Sequence, residues 1–252
     1  MKDKNEMKKV SSLLVVGAFL FSIAAQQASA AIALDRTRVV FDGGANSTSL
    51  YISNENKKLP YLAQGWIENE QGEKINSPFT VLPPLQRIEA GQKSQVKIQA
   101  LSDAGQLPKD RETLYYFNLR EIPPKTEKQN TLQIALQTRI KLFYRPKELI
   151  TALTDTPWQE RLTLRHQGKL YRVQNPTAYY VMIVDARRTP EGETVPGFEP
   201  VMISPFGEAL LKSTVEALGE KPVLTYINDY GGRPQLQFSC DAGSCQATAV
   251  KR

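Results

Sequence analysis

The stretch LQIALQTRIKLFYRP, Leu132 to Pro146, decides how this 252-residue chain is read. Leu132, Ile134 and Leu136 alternate with Gln133, Ala135 and Gln137, the period of two that an extended strand imposes on a half-buried row. The run then turns basic and aromatic at Arg139, Lys141, Phe143, Tyr144 and Arg145. A strand that only plugs a core needs the apolar row but not the cations. Strict alternation from Leu132 sets Lys141 on the face opposite the row, and a bulge or a strong twist would be needed to bring the two together.

Similar runs lie upstream: RTRVVF, STSLYISN, YLAQGWIEN, SQVKIQAL and TLYYFNLREI. Turn-forming clusters such as DGGANS, NENKKLP and LPPLQ separate them. Short runs at this spacing predict an all-β, immunoglobulin-like sandwich. The Pro83-Pro84 pair is compatible with a cis bond at a strand edge, and an ordinary trans turn is the commoner form. Past Pro146 the pattern weakens, and KELITALTDTP reads as a linker, placing a domain boundary near residue 150. A second β series follows in LTLRHQGKLYRVQN, YYVMIVDAR, EPVMISPFGEALL and LTYINDYGGRPQLQFSC, where Gly231-Gly232 marks a hairpin.

The N-terminus is of another kind. Lys2, Lys4, Lys8 and Lys9 precede an apolar run, Val10 to Ala25, and Ala28-Ser29-Ala30 has the small-x-small pattern of a cleavage site. Residues 1–30 are therefore expected to be a secretory signal peptide, with a mature start at Ala31. The run is short for a spanning helix. Removing it takes away four Lys and two acids, so the formal net charge falls from +6 to +4. The remaining cations are dispersed, which makes nucleic acid a poor partner.

Little in the sequence suggests catalysis. His166 is the single histidine and sits in a polar hairpin tip, LRHQGKLY, so neither a metal site nor a Ser-His-Asp site is expected. Ser94 and Lys97 have Ser-x-x-Lys spacing, but KSQVKIQA alternates like a strand, which parts the two side chains. No Gly-rich phosphate loop runs from a strand into a helix. The two cysteines, Cys240 and Cys245, should form a disulfide in an oxidising compartment. Composition and motifs point to a binding protein that uses neither cofactor nor ATP.

ALDRTRVVFDG, NKKLPYLAQGWIENE, DRETLYYFNLREIPPK, LQIALQTRIKLFYRP and YINDYGGRP together resemble the periplasmic chaperones of the chaperone–usher pathway. The likeness covers essentially the whole mature chain. It implies two immunoglobulin-like domains, 31–150 and 151–252, set at an angle with a cleft between them. It implies a periplasmic protein that binds, folds and caps pilus subunits by donor-strand complementation and passes them to an outer-membrane usher, and that can self-associate when free. By resemblance, Leu132, Ile134 and Leu136 occupy the donor-strand positions, and Arg38 and Lys141 grip the subunit's C-terminal carboxylate. Glu112, Arg145 and Asp229 match a charge cluster that holds the domains together, and Cys240 and Cys245 match the disulfide of close relatives. The short connection PPKTEKQN goes with chaperones of rod-like pili. The competing reading is an exported β-sandwich for adhesion or carbohydrate binding. A pilus component would carry a donor extension, whereas AIALDRTRVVF runs almost directly into a strand.

Overall fold

The structure is a computed structural model that describes residues 30–126, 130–152, 156–241 and 244–250. The leader read as a signal peptide lies outside the described residues, apart from Ala30. The N-terminal half contains β1 (Ile32–Leu34), β2 (Arg38–Asp42), β3 (Ser47–Asn54), β4 (Tyr61–Glu68), β5 (Lys74–Ile75), β6 (Phe79–Leu82), β7 (Leu85–Ile88), β8 (Lys93–Ala100), β9 (Thr113–Ile122) and β10 (Gln137–Arg145). One sheet runs β1-β3-β8-β6 and the other β2-β10-β9-β4-β5, with β7 also on β4. Among these pairs only β2 with β10 is parallel.

Period-two alternation explains the sandwich. Val39 and Phe41 of β2, Phe117 and Leu119 of β9, and Ile140, Leu142 and Tyr144 of β10 join Leu50, Ile52, Val96 and Ile98 from the facing sheet in one core. Phe79 sits among the rings, with centroids 5.0 Å from Phe41 and 5.1 Å from Tyr115. At Gly65 of β4 a Cβ would lie 2.9 Å from Val81 Cγ1 of β6, so glycine permits the close approach there. Strands β5, β6 and β7 are too short, and too interrupted by proline, to have stood out in the sequence. Cis peptide bonds occur at Ser77–Pro78 and Leu82–Pro83, one bond before the Pro83-Pro84 pair.

The stretch 132–146 departs from its expected form. Its strand begins at Gln137, and Leu132, Ile134 and Leu136 precede it without strand pairing. The backbone explains why. Glu121 N–H donates to Leu136 O at 3.0 Å, but the next hydrogen-bonded pair in the continued β9 register sets Ile134 against Pro123, which has no N–H to give. On the other side, continuing the β2 register sets Leu136 against Ala33, which instead pairs with Ser53 in the opposite sheet. Among the described residues, 132–135 thus run ahead of β10 outside the strand ladder, and Leu136 keeps the bond to Glu121. Within β10 the register with β9 is unbroken from Gln137 to Tyr144, so no bulge turns Lys141 toward the core side.

The C-terminal half contains β11 (Thr163–Gln167), β12 (Leu170–Gln174), β13 (Val181–Arg187), β14 (Val201–Ile203), β15 (Glu208–Thr214), β16 (Val223–Tyr226), β17 (Gln235–Asp241) and β18 (Ser244–Ala249). They form one path, β14-β13-β16-β17-β18-β11-β12-β15. Its two end strands are joined by the turn at 204–207 and touch each other, so the sheet is folded over a second core. That core contains Tyr171, Ile183, Leu224, Leu236 and Phe238. Tyr171 is fully buried, and its hydroxyl donates to Gly219 O at 2.8 Å. The expected hairpin at Gly231-Gly232 is present, joining antiparallel β16 and β17.

Candidate functional site

The parallel pairing of β2 with β10 puts Arg38 opposite Lys141. Their sequence neighbours Val39, Ile140 and Leu142 belong to the core, so both cations stand on the outer face of the sheet. Arg38 Nη1 donates to Ile227 O at 3.4 Å, and its Nε is buried without a hydrogen-bond partner. Burial holds Arg38 below its ordinary pKa, with Asp229 pulling the other way. Burial also lowers Lys141, and the charges of Arg38 and Arg139 push it further down. Two like charges side by side, each partly stripped of water, make a site that an anion completes through charge-assisted hydrogen bonds.

The same face is built outward and inward from this pair. Outward, Arg139 Nε donates to Glu68 Oε2 at 2.8 Å and its guanidinium lies 3.3 Å from the Tyr116 ring centroid. Inward, the Phe143 and Tyr180 rings lie 5.6 Å apart, bringing the C-terminal half against the strand.

Next along β10 is Arg145, buried at the junction of the halves. Its Nε donates to Glu112 Oε1 at 2.8 Å, and its Nη1 and Nη2 reach the two oxygens of Asp229 at 2.7 and 3.1 Å. Glu112 Oε2 accepts the Tyr180 N–H at 2.7 Å, and its own N–H donates to Ala178 O at 2.9 Å. Burial pushes the Glu112 carboxyl up to about 7, against the pull of Arg145 and the Tyr180 N–H. Trp158 and Tyr179 stack at 4.4 Å and flank the guanidinium at 4.8 and 5.0 Å. Asn175 holds that loop in place, donating from Nδ2 to Tyr179 O at 2.7 Å and to Ser204 O at 2.9 Å. The two aromatics and Asn175 escaped sequence reading, because no local spacing links them to the charges.

The apolar row is exposed, at 83% for Leu132, 62% for Ile134 and 39% for Leu136. Cys240 and Cys245 face each other across the β17–β18 hairpin and are bonded. His166 is exposed near the tip of the β11–β12 hairpin, edge-on to Tyr171. Ser94 and Lys97 lie on strand β8, on opposite faces.

Two family models cover most of the chain. "Pili and flagellar-assembly chaperone, PapD N-terminal domain" matches residues 31–150, and "Pili assembly chaperone PapD, C-terminal domain" matches 157–238. Chaperone protein PapD of Escherichia coli is 52% identical over 229 residues, spanning 89% of this chain and 92% of that one. The chain belongs to the PapD family of pilus assembly chaperones. This chaperone is also 49% identical to the probable fimbrial chaperone YfcS of E. coli K12, over 91% of this chain and 90% of that one. It superimposes on the solved complex of the Salmonella enterica SafA pilin with the SafB chaperone at a TM-score of 0.68, with 28% identity, over 85% of this chain and 99% of that one. The chaperone thus has the two-domain, all-β fold of its family, and the adhesion or carbohydrate-binding alternative falls away. Among its described residues no helix is long and apolar enough to cross a membrane.

Proposed function

We propose that this chaperone works in the periplasm on pilus subunits whose immunoglobulin-like fold lacks its last strand. Residues 1–30 direct export, and residues 31–150 and 151–252 act as two domains. The subunit's C-terminal carboxylate docks on Arg38 and Lys141, and residues 132–136 pair along its open groove, lending Leu132, Ile134 and Leu136 to the subunit's core. Backbone pairing supplies affinity, and the alternating side chains set register. Glu112, Arg145 and Asp229 hold the domains in working relation. The capped subunit passes to an outer-membrane usher. No catalysis, cofactor, ATP or nucleic acid is involved. The observation that carries this reading is the Arg38–Lys141 cation pair on neighbouring strands β2 and β10, with an exposed apolar row outside the strand ladder immediately ahead of β10.

The test is co-purification from the periplasm. A small exported subunit identified by mass spectrometry is expected with the wild type. Arg38→Ala and Lys141→Ala are each expected to reduce its recovery roughly tenfold or more, since a hydrogen bond to a charged group contributes about 1.5–3 kcal/mol. Their thermal melts should match wild type. Normal recovery in both variants would sink the anchor assignment.

The disulfide should be separable from this activity. It closes a loop with a sequence separation of 5 in the C-terminal half. A loop that small constrains the unfolded chain by about 2 kcal/mol. The double Cys240→Ser, Cys245→Ser variant is expected to lose about that much in denaturant unfolding while still recovering subunit. Loss of subunit from a folded double variant would contradict this.

A further inference from the structure

The connection between β16 and β17, residues 227–234, meets the N-terminal half at three alternate positions. The Ile227 carbonyl accepts Arg38 Nη1 at 3.4 Å. Asp229 takes Arg145 at 2.7 and 3.1 Å. The Gly231 backbone lies against Thr37, so that an added Cβ would sit 3.1 Å from Thr37 Oγ1. Among the described residues, the Ile227 carbonyl is the one hydrogen-bond acceptor of Arg38.

The residue between the first two contacts turns inward instead. Asn228 Oδ1 accepts the N–H groups of Tyr230 at 3.1 Å and Gly232 at 2.8 Å. The Asn228 N–H donates to Gly232 O, and the Gly231 N–H donates to Asn228 O, both at 3.0 Å. This is an Asx turn closed by two further backbone bonds. It needs glycine twice: Gly231 has φ +82°, and at Gly232 a Cβ would lie 3.0 Å from the Asn228 amide nitrogen. One side-chain oxygen thereby fixes a loop whose flanking residues hold Arg38 and Arg145.

We infer that Asn228 is a positioning residue for the carboxylate anchor. Asn228 keeps these bonds within the loop, to Tyr230, Gly231 and Gly232. It shapes the loop so that the Ile227 carbonyl aims Arg38 while Asp229 engages Arg145. One residue of the C-terminal half thus sets the direction of a cation on the N-terminal half. The inference rests on the reading of Arg38 as an anchor for the subunit's C-terminal carboxylate.

The test uses a synthetic peptide copying the C-terminal strand of the co-purifying subunit, made once with a free carboxylate and once as the amide. Calorimetric titration of the full-length mature chaperone gives the ratio of the two dissociation constants, at about 0.3 M salt so that added surface charge is largely screened. Wild type is expected to prefer the carboxylate about tenfold or more, and Arg38→Ala to bring the ratio near one. Asn228→Ala should lower the ratio at least about fivefold with an unchanged circular dichroism spectrum. Asn228→Asp, which keeps the acceptor oxygen, should hold it within about twofold of wild type. Asn228→Ser, whose hydroxyl reaches only the Tyr230 N–H, should fall between them and decides the matter if the alanine variant does not fold. A wild-type ratio in Asn228→Ala or Asn228→Ser, or a loss in Asn228→Asp as deep as in the alanine variant, overturns the inference and leaves the anchor standing. A ratio near one in wild type, or one retained in Arg38→Ala, overturns the anchor itself.

Discussion

Ile134→Glu is expected to abolish subunit capture while leaving the free chaperone's stability within about 0.5 kcal/mol of wild type. In the free protein Ile134 is 62% exposed and lies outside both core clusters, so a charge there stays in water. On the proposed reading it is the middle of the donated row, and a subunit groove would desolvate it from both sides. Burying the isoleucine contributes about 1.5–3 kcal/mol to the complex, and burying an unpaired carboxylate costs several kcal/mol more. The two effects add, so the expected loss is complete on the scale of a co-purification. Gln133→Glu, on the alternate face, should be far milder. Affinity for a subunit lacking its last strand and denaturant midpoints of the free protein are the measurements. An Ile134→Glu chaperone that binds normally removes residues 132–136 from the binding element, and one that unfolds assigns the row to the chaperone's own core.

Arg145→Ala is expected to destabilise the chaperone by about 3–5 kcal/mol, the cost of leaving buried partners without their charge. Removing the guanidinium strands two oxygens of Asp229 and one of Glu112, and opens a hole between Trp158 and Tyr179. Subunit capture should fall with it, because Asp229 then loses its hold on the N-terminal half. Glu112 adds a dependence on pH. Its folded-state pKa, about 7, lies above the ordinary 4.5, so the folded state holds the proton more tightly than the unfolded one. Its contribution is fully present below about 4.5 and lost as pH rises through about 7, and Glu112→Gln should flatten that part of the stability profile. An Arg145→Ala variant that melts with wild type would show that the cluster adds no stability.

Period-two alternation made the sandwich legible because each half-buried strand repeats the same signal. β2, β4, β9 and β10 all carry it, whereas β5, β6 and β7 span only two to four residues and sit beside prolines. The start of β10 is hidden in the sequence for a related reason. Leu132, Ile134 and Leu136 continue the even-numbered row of Ile140, Leu142 and Tyr144 with only Thr138 between them, and alternation alone cannot say where backbone partners run out. Arg38, Lys141, Glu112, Arg145 and Asp229 became readable through family likeness, since they lie far apart in sequence and meet only through the β2–β10 register and the 227–234 loop. Trp158, Tyr179, Asn175 and Asn228 carry no mark in sequence, because their work is to hold other residues in place.

Pro123 has a consequence for the cost of binding. A strand already paired within its own sheet could be lent only after its hydrogen bonds were broken, and apparent affinity would fall by the fraction of molecules in the paired state. Opposite Pro123, the Ile134 carbonyl has no N–H to accept from, so intramolecular competition is lowered from the start. Replacing Pro123 with a residue that can donate would make the chaperone a rival for its own strand. One missing hydrogen atom thus weakens a self-made inhibitor of the lending segment.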